Sequence, residues 1–363
     1  MSVLIFIIII GVLIFVHELG HFLIAKKNGI RVDEFAIGFP PKIFSITFGG
    51  TKYSLNLIPF GGYVKIFGEN PDEQSSDPNR SDSFVNKPRY IQAAVLVGGV
   101  FFNMIFAWIL LSISLMFGLP SVITEKNINQ IQNPSISIVQ VVENSPAFNS
   151  QIKVGDKILQ IQKNDQIISG QDLSIEKIQE IIRSDDNSIN LILQRKNQQI
   201  TTEIQPTTEI NNEYLTIGII MQELGDLKFS FFRAIYEGFF MTLDITKQMS
   251  LGLYNLIKMA IIGQGSFDDV AGPVGIVKIV DRASVFGFVY LLSFTAFISI
   301  NLAVLNILPF PALDGGRLLV VLIESIIRKP LNSKIVNIVN ASGFIILILL
   351  MIFITIKDVS RLF

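Results

Sequence analysis

The stretch MSVLIFIIIIGVLIFVHELGHFLIA (residues 1–25) decides the fold, because it is long and apolar enough to cross a bilayer and yet contains ionisable groups. A transmembrane helix needs about 20 largely apolar residues. His17 and His21 lie four positions apart, so on a helix they share one face, with Cβ atoms about 5–6 Å apart. Ionisable groups at membrane depth are costly and indicate a functional site. The spacing predicts that both histidines bind one metal ion and that Glu18 acts as general base.

The composition of the chain is typical of a membrane protein. Half of its 363 residues are hydrophobic, 16% are charged and the mean hydropathy is +0.52. A formal net charge of −1 does not indicate nucleic-acid binding, which depends on a basic surface. The chain has no cysteine, so disulfides and thiolate ligands are excluded. Its metal ligands must therefore be His, Asp or Glu.

Four segments are predicted to span the membrane, which makes the chain a polytopic α-helical membrane protein. Besides residues 1–25 these are residues 93–118 and 283–313, which contain no charged residue, and residues 335–356. A cleaved signal peptide is the alternative for the first segment. No basic region precedes that segment and no small-residue cleavage pattern follows it, which argues against cleavage.

Basic residues predict the orientation of the spans. Nine Lys and Arg lie between the first two spans, and four lie between the last two. The positive-inside rule then places both of these loops in the cytoplasm, and both termini and the segment 119–282 outside. This orientation places HELGH near the cytoplasmic end of the first span.

The soluble segment 134–222 is predicted to be a small α/β domain. Residues 136–142 alternate like a strand, residues 154–161 turn into a second strand, residues 175–182 have helical spacing and residues 189–194 form a further strand. This order, with SPA and GDKILQIQ in place, resembles a PDZ domain, which binds extended peptide by strand addition. A generic β-rich spacer is the alternative.

The first cytoplasmic loop, residues 30–68, is predicted to form a membrane-associated β-hairpin region. Residues 43–48 and 52–57 flank Gly49-Gly50 as the strands of a hairpin. The polar residues 69–90 are interpreted as a linker without chemistry. Residues 229–282 are predicted to form interfacial amphipathic helices, with a further span over residues 229–262 as the alternative.

The third metal ligand must be acidic, because a catalytic zinc site usually takes three protein ligands and HELGH supplies the only histidines. Asp314, in NILPFPALDGG (residues 306–316), is the best candidate, since it ends an uncharged span and follows two prolines that break the helix. Glu324 is the competitor. Asn306 in the same motif either touches substrate or forms an interhelical hydrogen bond.

In combination, HELGH, the PDZ-like insert, GGYVK and NxxPxPxLDGG resemble the bacterial site-2 proteases, the RseP-type intramembrane zinc metalloproteases of peptidase family M50. The resemblance covers essentially the whole chain, although Pro40 and Val100 depart from the usual pattern. It implies Zn²⁺ bound by His17, His21 and Asp314, with Glu18 as catalytic base. The residues it implies for substrate binding are Gly61, Gly62, Tyr63, Asn306 and Pro309.

The resemblance also implies the setting of the reaction. Such a protein lies in the bacterial inner membrane and hydrolyses peptide bonds in the transmembrane segments of single-span membrane proteins, such as anti-sigma factors or remnant signal peptides. An upstream site-1 protease first trims the same substrate. Two other functions remain open: a catalytically silent PDZ-bearing scaffold, against which the intact Glu18 argues, and a metal transporter, for which no inverted repeat is apparent.

Overall fold

The computed structural model describes residues 2–69, 77, 79–124, 127–164, 166–195, 198–209, 213–263 and 271–360. The chain forms two compact units. The first comprises Met1–Ile113, Ile235–Asp281 and Leu292–Phe363, and the second comprises Ser114–Ala234 and Arg282–Leu291.

Helices dominate the first unit and strands the second. In chain order the helices are α1 (Ser2–Lys27), α2 (Arg89–Phe117), α3 (Pro146–Asn149), α4 (Ile175–Ser184), α5 (Phe231–Ile262), α6 (Pro273–Val285), α7 (Phe288–Asn306), α8 (Asp314–Ile327) and α9 (Ser333–Ser360). The strands are β1 (Val32–Phe48), β2 (Thr51–Ile66), β3 (Leu119–Val122), β4 (Ile131–Val141), β5 (Lys157–Lys163), β6 (Gln166–Ser169), β7 (Ile189–Arg195), β8 (Gln198–Ile204) and β9 (Ile219–Leu227).

Four of these helices, α1, α2, α7 and α9, are long and apolar enough to cross a membrane. They correspond to the four predicted spans, and the chain is a multi-pass membrane protein. The predicted bounds of the third span, residues 283–313, are wrong, because α7 starts only at Phe288 and ends at Asn306. Gly287 has a φ of +97° just before the helix, and Pro309 and Pro311 follow it. These residues break the helical path although the whole segment is uncharged.

The first loop folds into a four-stranded sheet, because both long strands bend and pair with each other in three places. Ser45 pairs with Ser54 and Phe48 with Thr51, so the predicted hairpin around Gly49-Gly50 is confirmed. Phe35 pairs with Tyr53 on one side and with Val64 on the other. The sheet order is therefore residues 42–48, 51–58, 32–39 and 62–66. Residues 62–66, called the edge strand below, form one border of this sheet.

The predicted linker, residues 69–90, is described only in part, since residues 70–76 and 78 lie outside the described residues. A 3₁₀ turn at Phe84–Asn86 leads into α2, which begins at Arg89. Glu69 forms an ion pair with Arg317 of α8. The interpretation of this segment as a mere linker is therefore wrong at its first residue.

Helix α5 packs lengthwise against α2. The indole nitrogen of Trp108 donates to the carbonyl oxygen of Ile235 at 2.9 Å, and Thr246 Oγ1 lies 3.7 Å from the sulfur of Met104. The two helices are therefore antiparallel neighbours over several turns. Residues 229–262, which are predicted to be helical, contain the single helix α5. Residues 264–270 lie outside the described residues.

The second unit is built on one sheet with the order β3-β9-β4-β5-β7-β8, and β6 pairs with β5. Helix α4 begins at the cap residue Ser174, whose hydroxyl accepts from Lys177 N, and buries Ile178, Ile181 and Ile182 in the sheet core. Every strand and helix predicted between residues 136 and 194 is present. The predicted boundaries, 134–222, are too narrow, because β3 and the end of β9 belong to the same sheet.

Candidate active site

The two histidines of HELGH meet on one face of α1, as their spacing predicts. The Nε2 atoms of His17 and His21 lie 3.2 Å apart, and their rings are nearly perpendicular, at 85°. One turn of helix thus brings two imidazole nitrogens to a common point. Both side chains are largely buried in the first unit.

Asp314, almost 300 residues further along the chain, reaches the same point from the first turn of α8. Its Oδ2 lies 3.0 Å from His17 Nε2 and 3.3 Å from His21 Nε2. The connection from α7 folds tightly before it. A Cβ on Gly315 would lie 2.2 Å from the carbonyl oxygens of Ile307 and Leu308, so only glycine permits this turn.

The three donor atoms fit a tetrahedral metal ion. Ligands about 2.0–2.1 Å from a tetrahedral zinc lie about 3.3 Å from one another. The observed separations of 3.0, 3.2 and 3.3 Å match this spacing. Asp314 Oδ2 is buried and accepts no hydrogen bond of acceptable geometry. A buried carboxylate oxygen without a hydrogen bond is costly, and a bound cation would satisfy it.

Helix α2 supplies the groups that orient the two imidazoles. His21 Nδ1 lies 2.8 Å from the carbonyl oxygen of Val95, which can only accept, so Nδ1 carries the proton and Nε2 has a free lone pair. The side-chain amide of Asn103 lies 3.3 Å from His17 Nδ1, and its Oδ1 is buried without a partner. Turning this amide by 180° lets Oδ1 accept from His17 Nδ1, which leaves His17 Nε2 free as well.

Glycines on α1 and α2 bring these helices close enough for such contacts. A Cβ on Gly20 would lie 2.3 Å from the carbonyl oxygen of Gly98. A Cβ on Gly99 would lie 2.5 Å from both His17 Cε1 and His21 Nε2. Gly99 therefore leaves open the space that the histidine rings use.

Glu18 lies next to the edge strand of the sheet. A Cβ on Gly62 would lie 3.7 Å from Glu18 Cγ and 3.4 Å from a methyl carbon of Ile14. The structure thus brings one of the predicted substrate-binding residues, Gly62, beside the predicted general base. Gly61 has a φ of +136° and a Cβ there would strike the ring of Phe39.

The other predicted substrate-binding residues lie at separate places around the site. Tyr63 follows Gly62 in the edge strand and pairs with Ala36. Asn306 is the last residue of α7, and Pro309 lies in the connection that leads to Asp314. The competitor Glu324 lies near the other end of α8, where it pairs with Arg89 at 2.7 Å instead of approaching the histidines.

Sequence reasoning missed the contributions of Gly99, Asn103 and Val95. Asn103 is one of the few polar residues in an uncharged span, and this was the available signal. Gly99 and Val95 give no such signal, because small and apolar residues are common throughout α2.

Comparisons with known proteins agree with this arrangement. The model of the family described as Peptidase family M50 matches residues 5–350 of this chain. A Clostridium perfringens protein named as a zinc metalloprotease is 38% identical over 96% of this chain and 95% of its own length. A similarly named Clostridium acetobutylicum protein is 36% identical over 99% of this chain and 97% of its own. The Bacillus subtilis regulator of sigma-W protease, RasP, is 30% identical over 100% of this chain and 99% of its own.

A match of this extent shows that the chain belongs to peptidase family M50. It is a zinc metalloprotease of the site-2 type, as the sequence predicted, and Zn²⁺ is its cofactor.

Proposed function

We propose that His17, His21 and Asp314 bind the zinc ion, and that this site hydrolyses peptide bonds in the transmembrane segments of single-span membrane proteins. The observation that carries the proposal is the convergence of three donor atoms at tetrahedral spacing within a unit made of apolar helices. A zinc ion bound in such a site acts as a Lewis acid and activates water.

The protein's own groups have distinct parts in this reaction. Glu18 follows the first ligand directly and lies beside the edge strand, so it is the carboxylate suited to take a proton from the attacking water. Val95 and Asn103 hold the imidazoles so that both Nε2 atoms face the metal. Both groups act through the histidines and are therefore positioning residues.

The edge strand is the proposed binding site for the substrate. A transmembrane helix has its carbonyl oxygens engaged in hydrogen bonds, so a helical substrate must unwind before hydrolysis. Residues 62–66 pair with β1 on one side, and no strand in the described part of the chain pairs with the other side. An extended substrate segment added there would recover its backbone hydrogen bonds directly beside Glu18.

We further propose the orientation that the basic residues predict. Lys26 and Lys27 form the last turn of α1, and Arg89 begins α2. These ends face the cytoplasm of a bacterial cell under the positive-inside rule, and the termini and the second unit lie outside. The lengthwise contact of α5 with α2 favours a position of α5 at membrane depth over the interfacial position.

The second unit is proposed to be a PDZ-like peptide-binding domain. Its strand β9 is covered by β3 only from Leu224 to Leu227, and Ile123 N donates to Glu223 O, so residues 219–222 keep an open edge next to α4. This domain would select substrates whose outer part has already been shortened by a site-1 protease. RasP is named as a regulator of sigma-W. Membrane-bound anti-sigma factors are accordingly a proposed substrate class, together with remnant signal peptides.

The decisive experiment compares the full chain with its Glu18→Gln variant in detergent, using a tagged single-span protein as substrate. Zinc content should be equal, because Glu18 is not a proposed ligand, and cleavage should be lost in the variant. Equal cleavage by both proteins would overturn the proposal. Asp314→Ala should lose zinc, whereas the matched Glu324→Gln should keep it.

A further inference from the structure

Arg317 joins the helix that carries Asp314 to the end of the edge strand. It lies one turn after Asp314 in α8, so both side chains leave the same face of the helix. Its Nη1 donates to Glu69 Oε1, and its Nη2 donates to the backbone carbonyl oxygen of Glu69 at 3.3 Å. Two hydrogen bonds from one planar guanidinium fix direction as well as distance.

We propose that Arg317 and Glu69 form a clasp that positions the substrate-binding edge strand against α8 and thereby sets which substrate bond lies over the metal. This inference rests on the proposed function, because it assumes that residues 62–66 bind the substrate. Both members are positioning residues and neither touches the reacting atoms.

The other polar contacts at the end of the edge strand, those of Phe67, lead to elements other than α8. Phe67 N donates to Arg31 O, and Phe67 O accepts from Phe84 N. The ring of Phe67 is contacted by the guanidinium groups of Arg31 and Arg80, at 3.7 and 4.7 Å from its centroid. These contacts tie the strand to β1 and to the segment before α2. Helix α8 already shares a hydrophobic cluster with the strand, through Val321 and Ile66, and the clasp adds a directional polar link to α8.

The turn from the strand to the clasp is itself constrained. Gly68 has a φ of +76°, and a Cβ there would lie 2.0 Å from Ser83 Oγ. Glu69 N donates to Ile66 O at 3.2 Å, which closes the turn. A shift of Glu69 relative to α8 is therefore transmitted directly to Ile66 and to the strand.

A second ion pair in the same region provides a matched comparison. Arg89 and Glu324 are 2.7 Å apart and join the start of α2 to the last turns of α8. Both pairs line one cavity of about 450 Å³ and are partly exposed to a similar degree. They share chemistry and surroundings, but the Arg89–Glu324 pair does not touch the edge strand. Its loss should leave the substrate register unchanged.

Loss of the clasp should change where and how well the substrate is cut. In Glu69→Gln the edge strand is less firmly held, so the substrate can bind in more than one register. A misplacement of about 1 Å can cost on the order of 100-fold in rate, so we expect kcat/KM to fall about 10- to 100-fold. The loss should lie chiefly in kcat, because a substrate bound in the wrong register reacts slowly, and mass spectrometry of the products should show cleavage at neighbouring bonds.

The test uses the full chain in detergent with the same tagged single-span protein. Glu69→Arg and Arg317→Glu should each spread the cleavage sites, and the double exchange Glu69→Arg/Arg317→Glu should restore one main product. The double exchange Arg89→Glu/Glu324→Arg serves as the control and should keep the wild-type product. Zinc content is measured in every variant, which separates a change in register from loss of the metal.

Two results would overturn the clasp. One is an unchanged product pattern and kcat in Glu69→Gln, a mild change that keeps the size of the side chain. The other is an equal effect of the control exchange. In either case Glu18-dependent cleavage by the wild type would leave the proposed function standing, so the two failures can be told apart.

Discussion

Buried polar groups in the two units of this protein differ in how fully they are hydrogen-bonded. In the second unit, Asp156 accepts two hydrogen bonds from Arg195 and one from Lys153 N, and Lys163 donates to two carbonyl oxygens near the end of α4. In the first unit, the buried Asp314 Oδ2 and Asn103 Oδ1 have no hydrogen-bond partner. All of the unpartnered buried side-chain atoms among the described residues belong to the first unit.

This difference separates a structural polar network from a functional one. A buried network with every group satisfied adds rigidity, and removal of one member destabilises the fold. A buried carboxylate oxygen without a hydrogen bond, such as Asp314 Oδ2, can be satisfied by a bound cation. Substitutions in the second unit should therefore lower stability, whereas substitutions around Asp314 should lower metal binding and activity.

The largest effect is expected at Gly99, which lies against both histidine rings. In Gly99→Ala the new Cβ would lie 2.5 Å from His17 Cε1 and His21 Nε2, so the rings must move. Zinc content and cleavage should fall by about 100-fold or more, because misplaced ligands bind metal poorly. Metal analysis and cleavage of a tagged single-span substrate measure both.

Gly252→Ala is the matched control for this change. Gly252 lies within α5, and a Cβ there would meet no atom within 4 Å. Alanine is the better helix former by about 0.5–1 kcal/mol, so this variant should be as active as the wild type and slightly more stable. Normal zinc content in Gly99→Ala would show that the close approach of α1 and α2 is not needed for the metal site.

In the second unit, Asp156→Asn should act on stability alone. Asp156 is fully buried, and its Oδ2 lies 2.7 Å from Arg195 Nη2. Breaking a buried pair costs about 3–5 kcal/mol, and the partial exposure of Arg195 places this pair at about 3 kcal/mol. Hydrogen exchange of β5 and β7 in the full chain should become faster, with zinc content unchanged. Asp172→Asn, at an exposed position, should change stability by less than about 0.5 kcal/mol.

A smaller effect, a loss of metal affinity, is expected at Asn103 in the first unit. Asn103→Leu removes the amide beside His17 Nδ1 but keeps the number and branching of the side-chain heavy atoms. Loss of such a supporting group typically lowers metal affinity about 10- to 100-fold. Competition with a chelator measures this affinity. Ser299→Ala, which removes a hydroxyl that donates to the backbone oxygen of Asn103, should leave it unchanged.

The sequence was sufficient to predict which three side chains converge, because few residue types could form a metal site in this chain. Two histidines at helical spacing and no cysteine require an acidic third ligand, and Asp314 lies at the end of an uncharged segment. The turn at Gly49-Gly50 could also be predicted from the sequence, because paired glycines between alternating apolar residues favour a hairpin.

The contacts that the sequence did not reveal depend on how helices and strands pack against each other. Nearly every face of α2 is apolar, so its pattern does not tell which face meets α1, and Gly99 and Asn103 could not be placed. Glu69 lies in a polar stretch and Arg317 is 248 positions away, so no local pattern connects them. The end of α7 was misplaced because the span was drawn to the next charged residue, although Pro309 and Pro311 mark the break in the helix.

The smallest effect is a pH dependence in the satisfied network of the second unit. A hydrogen bond from the Lys163 ammonium, supported by Asn187 N, lowers the pKa of Asp185 below its ordinary value of 3.8. A lowered pKa in the folded state means that the charged carboxylate stabilises the fold above pH 3.8, and that this contribution is lost as the pH falls through the lowered value.

Thermal unfolding of the full chain and of Asp185→Asn at about pH 7, 5 and 3 tests this. The wild type should have the higher midpoint at the first two values, and the difference should shrink at the third. A difference that stays constant through the acid range would mean that the charge of Asp185 does not contribute to stability. The neighbouring Asp186→Asn, at an exposed position, should match the wild type at neutral pH.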